Sequence, residues 1–417
     1  TGTISVTQVA ELDQDEILTR PDTVIVRDGD SVLADVLRND TTASGAQLTL
    51  LADRGDQGVV GQLEVTNLGA ADATAGDLGK AYVSGSMVRY VAPAKVAVTT
   101  TFMVEYWAQT EAGDRRSGRL NVTVMPQPDA KSANRAPAPR PVEARSLSGE
   151  KQTIPIPTSG NDPDGDTTAV TSITSAPKLG RVVGLSPTGI TYEAYPGSQG
   201  TDSFGFAVTD RYGRIGVSVV RVAVTPPGPP QPAVGAPIAI TAEPGAPVTV
   251  YPMTSALYQR NDPVSVVDLS RTNPTLPQGV SLNTETKAVR ATAPADGAVP
   301  LELSYALTGN AGQGPGSTIT VRSEKGFQNP PRILDQTASP TGTSVKVNLL
   351  AGAYDPDGDS AALKVTAVGG GLSAPATDGS LSIPVLDRPQ AIPFEVTDGA
   401  GATSAAMVYI PAAGVGG

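Results

Sequence analysis

Residues 201–225 read TDSFGFAVTDRYGRIGVSVVRVAVT. Apolar side chains alternate at Phe204, Phe206 and Val208. A TDxxG turn follows at residues 209–213, and a second alternating run then ends before a proline. Alternation with a period of two residues, bounded by turn residues, is typical of half-buried β-strands. This stretch therefore predicts two strands and the loop that joins them.

The same combination of alternating run and turn recurs along the chain. The corresponding threonines lie 99, 99 and 89 residues apart, at Thr110, Thr209, Thr308 and Thr397. A repeat of this length indicates an array of similar modules. At about 100–150 residues per domain, a chain of 417 residues holds three or four domains, and the repeat favours four.

The predicted fold is all-β: a tandem array of four antiparallel β-sandwiches. Short alternating runs separated by turns predict roughly seven strands per module in Greek-key order, with almost no helix. The predicted modules are residues 1–126, 127–228, 229–324 and 325–417. The first has an insertion near residues 53–85, the sandwich of the second follows the proline-rich linker 126–141, and the third is a degenerate copy. Residues 1–10 are either the first strand of module one or the tail of a preceding module.

The composition excludes several functions. The chain has no cysteine, which excludes cysteine-based zinc sites and redox chemistry, and no histidine, the usual general base near neutral pH. Its net charge is −11 and it has no basic stripe, so nucleic-acid binding is not expected. It has no apolar run of 18 residues, so no membrane insertion is expected in this segment. We predict no enzymatic activity.

Acidic turns are the candidate sites for chemistry. Aspartates at every second position occur in NDPDGD of the second module and in DPDGD of the fourth: Asp162, Asp164 and Asp166, and Asp355, Asp357 and Asp359. Carboxylates on a tight loop suit Ca²⁺, which takes six to eight oxygen ligands. The same Asp-Pro-Asp-Gly sequence also suits a type I turn that binds no metal. Both interpretations stay open at this stage.

These motifs carry a family resemblance. NDPDGD, the pattern φ-x-Y-x-A-x-P, GTDSFGFAVTD-x-x-G and VxVxVTP resemble bacterial immunoglobulin-like and cadherin-like surface repeats. The second module matches nearly throughout, the fourth keeps DPDGD and TD, and the third leans towards a fibronectin type III-like sandwich. The resemblance implies an extracellular or cell-envelope location in a bacterium, with an anchor outside this fragment. It also implies interdomain calcium, with the six turn aspartates as ligands.

The main functional hypothesis is a non-catalytic structural or adhesive segment of a long surface protein, a monomeric spacer rod or interaction array. The alternatives are carbohydrate-associated accessory domains of a secreted polysaccharide-degrading enzyme, and a repeat segment that self-assembles or binds a protein. A surface protein or a glycan is the expected partner. Four aromatic residues are candidates for exposed contacts, although a partly buried position is favoured for the first: Trp107, Tyr195, Tyr212 and Tyr258.

Overall fold

The computed structural model describes residues 16–52, 58–68, 77–110, 113–130, 132–259, 262–339 and 342–414. The chain divides into two compact units. Unit 1 comprises Thr1–Ala52 and Gln62–Gln127, and unit 2 comprises Asp53–Gly61 and Pro128–Gly417. Residues 1–10, for which the sequence left two interpretations open, lie outside the described residues. No helix in the described part of the chain is long and apolar enough to cross a membrane.

Unit 1 contains the first module. Its strands are β1 (Ile17–Leu18), β2 (Asp22–Arg27), β3 (Ser31–Ala34), β4 (Thr41–Thr42), β5 (Thr49–Leu50), β6 (Gln62–Leu63), β7 (Val65–Asn67), β8 (Lys80–Ser84), β9 (Met87–Val91), β10 (Thr100–Gln109) and β11 (Arg115–Met125). One sheet has the order β2-β11-β10-β5, with β7 also on β10; the other has the order β3-β9-β8-β6, and β1 pairs with β4. Strands β6, β7 and β8, which lie in the predicted insertion, therefore pair within the module's own sheets.

The second module lies in unit 2 and has the predicted seven strands. They are β12 (Val142–Leu147), β13 (Lys151–Pro155), β14 (Thr168–Ser175), β15 (Gly180–Ser186), β16 (Gly189–Ala194), β17 (Gly200–Asp210) and β18 (Ile215–Thr225). A four-stranded sheet, β12-β18-β17-β14, faces a three-stranded sheet, β13-β16-β15. The opening stretch of the sequence forms β17, its turn and β18.

The third module repeats this arrangement. Its elements are β19 (Ile238–Ala242), β20 (Pro247–Val250), a 3₁₀ helix (Pro252–Ser255), β21 (Ser265–Val266), α1 (Leu269–Thr272), β22 (Ser281–Leu282), β23 (Val289–Thr292), β24 (Leu301–Gly309) and β25 (Gly312–Ser323). The sheets have the orders β19-β25-β24-β21 and β20-β23-β22. The match at sheet level shows that its degenerate sequence still specifies the sandwich.

The fourth module has a smaller second sheet. Its elements are β26 (Gln336–Thr337), β27 (Ser344–Asn348), a 3₁₀ helix (Ser360–Ala362), β28 (Lys364–Val368), β29 (Ser380–Pro384), β30 (Gln390–Thr397) and β31 (Thr403–Ile410). The sheets have the orders β26-β31-β30-β28 and β27-β29. The shorter sequence between DPDGD and TD accounts for the missing third strand.

Each module buries its own core, as the alternating sequence predicts. In the second module, Phe204, Phe206 and Val208 of β17 are buried against alternate valines of β18. The other three modules have separate clusters of buried apolar residues. The prediction of four β-sandwiches is therefore confirmed at the level of fold.

One strand pair in each module is parallel, which the sequence analysis did not predict. β2 pairs with β11, β12 with β18, β19 with β25 and β26 with β31, each in parallel. Period-two alternation identifies strands but not their direction, so this pairing could not be derived from the pattern. Because the first and last strands of a module run in the same direction, the chain enters and leaves at opposite ends.

Modules that are not consecutive also make contact within unit 2. The Thr158 hydroxyl of the second module lies 3.1 Å from the Tyr409 hydroxyl of the fourth. β31, which holds Tyr409, is buried along its whole length on both faces. A strand with one solvated face would alternate between buried and exposed residues. The sequence of β31, TSAAMVYI, is apolar enough to allow burial on both faces.

Asp202 organises the end of the second module where β17 begins. It is 2% exposed. Its Oδ1 accepts hydrogen bonds from the backbone N–H groups of Lys178 and Ser203, at 2.8 and 2.9 Å. Its Oδ2 accepts from the Leu179 N–H and the Tyr192 hydroxyl, both at 2.8 Å. A buried carboxylate with four donors ties the β14–β15 loop to both sheets.

We expect Asp202→Asn to destabilise the second module by about 2–4 kcal/mol, because it removes the charge that strengthens all four hydrogen bonds. Calorimetric melting of the whole chain, with hydrogen exchange to locate the loss in residues 142–225, measures the effect. Asp296→Asn is the matched control, since Asp296 is exposed in a loop of the third module. Equal melting curves for the two variants would contradict the assigned role.

Candidate functional site

The acidic turn of the second module joins β13 to β14. Asp162, Asp164 and Asp166 are all buried, with 6%, 4% and 1% of their surfaces exposed. One carboxylate oxygen from each lies within 4.8 Å of those of the other two. The structure therefore brings together the three residues that the sequence predicted as metal ligands in this module.

Asp162 is the centre of this triad. Its Oδ1 accepts hydrogen bonds from the N–H groups of Asp164, at 2.8 Å, and Asp166, at 3.4 Å. Its Oδ2 is buried and has no hydrogen-bond partner. Burial raises the pKa of Asp162 above its ordinary value, and the negative charges of Asp210 and Asp164 add to this, against the two N–H groups. The turn thus leaves one buried carboxylate oxygen without a hydrogen-bond partner.

The linker that enters the second module is bound by the same turn. Arg135 donates its backbone N–H to Asp164 Oδ2 at 2.8 Å, and its Nε to Asp164 Oδ1 at 2.7 Å. The guanidinium also donates to the carbonyl of Pro163 at 2.8 Å. Ala138 donates its N–H to the carbonyl of Asn161 at 2.7 Å. The guanidinium therefore compensates one of the three negative charges.

A second turn at the same end also holds the linker. Asn134 donates its side-chain amide to Asp210 Oδ2 at 2.7 Å. The other oxygen of Asp210 accepts from the N–H groups of Tyr212 and Arg214, at 2.8 and 2.9 Å. Because Asn134 and Arg135 are consecutive, the two turns lie side by side. Asp210 therefore lies at the same end of the sandwich as the acidic turn.

The acidic turn of the fourth module uses its aspartates differently. Asp357 Oδ2 accepts from the backbone and side-chain N–H groups of Asn329, at 2.9 and 3.0 Å. Asp355 Oδ1 accepts from the Asp357 N–H at 3.1 Å, whereas Asp359 caps a 3₁₀ helix by accepting from Ala361. Among the described residues, the triad of the second module is the one group of three carboxylates gathered so closely. For Asp355, Asp357 and Asp359 the geometry supports a turn.

Asp357 lies where the fourth module meets the third. Asn329 donates its side-chain amide to the carbonyl of Thr241 at 2.7 Å as well as to Asp357. Burial raises the pKa of Asp357 to about 6, and the neighbouring Asp355 adds to this, although the donors of Asn329 oppose it. Burial also raises the pKa of Asp355. The two carboxyls therefore hold a proton more readily than free aspartates do.

Two further contacts fix the same junction. Thr249 of β20 donates its N–H to the carbonyl of Pro356, the proline of the acidic turn, at 2.8 Å. The rings of Tyr251 and Tyr354 meet edge to face, with centroids 4.6 Å apart. An aromatic pair in this geometry is worth about 0.5–1.5 kcal/mol beyond its burial. The turn and its flanking tyrosine thus contact the third module directly.

The first module binds its incoming segment in a similar way. Asp40 Oδ1 accepts from the N–H of Arg20 at 2.8 Å, and Asp40 Oδ2 accepts from the Tyr106 hydroxyl at 2.8 Å. Burial, reinforced by the Asp40 charge, raises the pKa of Asp22 to about 6, against the hydrogen bond from Asn39. The sequence analysis did not identify Asp22 or Arg20. The Asn-Asp pair of residues 39–40, shared with the other modules, is the signal that could have indicated them.

The third module replaces the aspartate of the second turn with a glycine, and its geometry gives the reason. Asp262 Oδ1 accepts from the N–H of Asn310 at 2.7 Å. A Cβ at Gly309 would collide with the Asp262 carboxylate. One aspartate thus reaches into the space that a second would fill. Asn261 of the predicted motif lies outside the described residues.

The candidate aromatic residues differ in exposure. Trp107 is half-buried on the outer face of β10, as the sequence analysis favoured. Tyr195, Tyr212 and Tyr258 are 47%, 36% and 46% exposed. The Arg211 guanidinium lies 5.6 Å from the centroid of the Tyr212 ring, within the range of a cation–π interaction. The three loop tyrosines are therefore at the surface, and one of them already contacts a guanidinium.

Comparison with known structures gives tandem arrays of β-sandwiches. Cadherin domains 1–4 of protocadherin gamma B7 are 10% identical, with a TM-score of 0.20 and coverage of 94% of this chain and 100% of that one. Immunoglobulin domains 1–4 of Sidekick-1 are 11% identical, with a TM-score of 0.25 and coverage of 96% and 100%. Drosophila N-cadherin EC1–4 is 13% identical, with a TM-score of 0.24 and coverage of 94% and 99%. Values this low carry no argument about function.

A comparison with curated proteins gave no match. A comparison with protein-family models matches residues 134–225 to a family described as a bacterial Ig domain. The matched residues run from Asn134, which binds the second turn, to the end of β18. They contain the whole triad and both aspartates that bind the linker, Asp164 and Asp210. The module that carries the acidic site is thus similar to a bacterial Ig domain.

Proposed function

We propose that this chain is a non-catalytic structural or adhesive segment of an extracellular or surface-associated bacterial protein, in which aspartates hold three of the four modules to the segments that precede them. The observation that carries the proposal is the binding of incoming backbone N–H groups by carboxylates in three modules: Arg20 to Asp40, Arg135 to Asp164 and Asn329 to Asp357. A spacer or interaction array needs defined junctions, since its task is to set the positions of its modules.

The strength of these bonds suits that role. A hydrogen bond to a charged group contributes about 1.5–3 kcal/mol, and it orders a linker residue that would otherwise be free. In the second module, Arg135 adds its guanidinium to the backbone bond, so the two oxygens of Asp164 are held in a fork. The proline-rich composition of residues 126–141 limits the remaining freedom of the linker.

If Asp164 holds the linker, Asp164→Asn should expose the Arg135–Ala136 bond to trypsin. We expect cleavage there to become about tenfold faster, since tenfold corresponds to about 1.4 kcal/mol of lost protection. Mass spectrometry of fragments from a timed digest measures the rate. Glu193→Gln is the matched control, because Glu193 pairs with Arg181 at 2.7 Å away from the linker. Equal rates in wild type and D164N would refute the role of Asp164.

For the triad we propose Ca²⁺ as the ligand, held by Asp162, Asp164 and Asp166. The donors fit a hard cation, because they are carboxylate oxygens gathered within 4.8 Å, and the buried Asp162 Oδ2 has no other partner. Three carboxylates against one guanidinium leave a net charge that suits a divalent ion. The ion would supply positive charge to a buried acidic turn. The chain's own groups, Arg135 and the turn N–H donors, hold the carboxylates in place.

Calcium at millimolar concentration should raise the melting temperature of the second module relative to chelator, because an ion that binds only the folded state stabilises it. Asp162→Asn should abolish most of the increase. Asp359→Asn is the control, since Asp359 is exposed and caps a 3₁₀ helix. Calorimetry in calcium and in chelator gives both values. The same melting temperature in the two buffers would leave the turn as a metal-free structure.

The fourth module should become more stable as the pH falls. A carboxyl whose pKa is raised in the folded state stabilises that state below its unfolded pKa, and this contribution is lost as the pH rises through the folded value. For Asp357 this stabilisation develops as the pH falls from about 6, its pKa in the folded state, to the ordinary pKa of 3.8. We expect a gain on the order of 1 kcal/mol between pH 7 and 4.5 after allowing for solvent screening.

Calorimetry of the chelated chain at several pH values measures this dependence. Asp357→Asn should reduce the pH dependence of the stability of the fourth module. Asp296→Asn serves as the control, because Asp296 lies in an exposed loop. Stability of the fourth module that falls between pH 7 and 4.5 would contradict the assignment.

A further inference from the structure

The outer face of the larger sheet of the second module carries a groove that the acidic turns do not involve. Its volume is about 420 Å³, and its lining residues come from β12, β17 and β18: Glu143, Ala144, Arg145, Thr201, Arg221 and Ala223. The face opposite this groove packs the core of the module, so the sheet itself is a rigid support. A site on strands is held more precisely than one on a loop.

Strand register arranges these side chains in two rows. Arg145 of β12 lies beside Ala223 of β18, and Ala223 lies beside Thr201 of β17. In the neighbouring row, Glu143 lies beside Arg221. The small Ala223 thus forms a floor between a guanidinium on one side and a hydroxyl on the other. A flat ring can approach such a floor closely.

The two arginines are available to a ligand. Arg145 and Arg221 are exposed, and within the described residues neither side chain makes a hydrogen bond or an ion pair. In contrast, Arg181 on the other sheet pairs with Glu193 at 2.7 Å. The chain as a whole has a net charge of −11. Two unengaged guanidiniums therefore lie within one groove.

We propose that this groove binds a polysaccharide that carries uronic acid residues. A guanidinium presents two parallel N–H donors that match the two oxygens of a carboxylate. Glu143 accepts hydrogen bonds from sugar hydroxyls, and Thr201 both donates and accepts. An acidic peptide carries its carboxylates at the ends of side chains, away from its backbone N–H donors, whereas a uronic acid ring carries hydroxyl donors beside its carboxylate. The mixture of donors and acceptors thus favours an acidic sugar over an acidic peptide.

An exposed aromatic ring lies on the loop that leads into the groove. Tyr195 is the first residue after β16. Residues 196–199 connect it to β17, which contributes Thr201. The carbonyl of Tyr195 accepts from the hydroxyl of Ser148, three residues after Arg145, at 3.2 Å. This bond ties the loop to the end of β12. The loop that carries this ring, 47% exposed, is therefore anchored beside the strand that supplies Arg145.

This site goes beyond the proposed function and does not depend on it. The groove is built from β12, β17 and β18, whereas the linker is held by the two acidic turns. Loss of sugar binding would leave the trypsin and calcium results unchanged, and the reverse also holds. The two proposals therefore fail separately.

The test is calorimetric titration of the full chain with a galacturonic acid oligosaccharide, its methyl ester and polyglutamate. We expect binding of the acid form, with affinity about tenfold weaker for each guanidinium removed in Arg145→Gln, Arg221→Gln and the double variant. Arg181→Gln makes the same change of charge on the other sheet and should bind as the wild type does. Melting temperatures should match, since all three arginines are exposed.

Four results would overturn the proposal. They are no binding of the acid oligosaccharide by the wild type, unchanged affinity in the double variant, equal affinity for polyglutamate, and equal affinity for the methyl ester. Sedimentation of the free chain addresses a second copy as the occupant. A mass above one chain that returns to one chain in the double variant would assign the groove to self-association and also overturn it.

Discussion

The structure depends on how a carboxylate at the end of a sandwich binds the chain that enters it. In each module an early strand pairs in parallel with the last strand, and the incoming segment precedes that early strand. An aspartate at the end of the sandwich accepts the N–H of that segment in three modules, through Asp40, Asp164 and Asp357. An incoming segment without this bond would leave its polar backbone to water and its direction unset.

Burial of these aspartates has an electrostatic cost that shapes the rest of each turn. Burial raises the pKa of Asp22, Asp162 and Asp357, so the folded state holds their negative charges reluctantly. Each module compensates with different donors. The second supplies two turn N–H groups to Asp162, the fourth supplies the amide of Asn329 to Asp357, and the first supplies the amide of Asn39 to Asp22. The second module gathers the most negative charge and leaves one oxygen unpartnered, which is why its turn is the best candidate for a cation.

Because each core is buried between two sheets, the outer faces are free to differ. The outer face of β31 is covered within unit 2, partly by Thr158 of the second module. The outer face of β12 and β18 stays exposed and carries unengaged arginines. Binding surfaces in such an array can change without altering the sandwich, since only alternate residues of each strand contact the core.

The sequence alone determined the fold class and the inward residues, because alternation has the same period as the strand and each buried position is visible in the pattern. Phe204, Phe206 and Val208 are examples, and DPDGD identified both acidic turns as turns. Only the tertiary structure decided which of these turns gathers three carboxylates, because that depends on what approaches each aspartate from distant positions. Asp359 caps a local helix, whereas Asp164 meets Arg135 across 29 residues of sequence. Parallel pairing, the junction at Asn329 and the row of Arg145, Ala223 and Thr201 are likewise set by contacts between strands that no local pattern encodes.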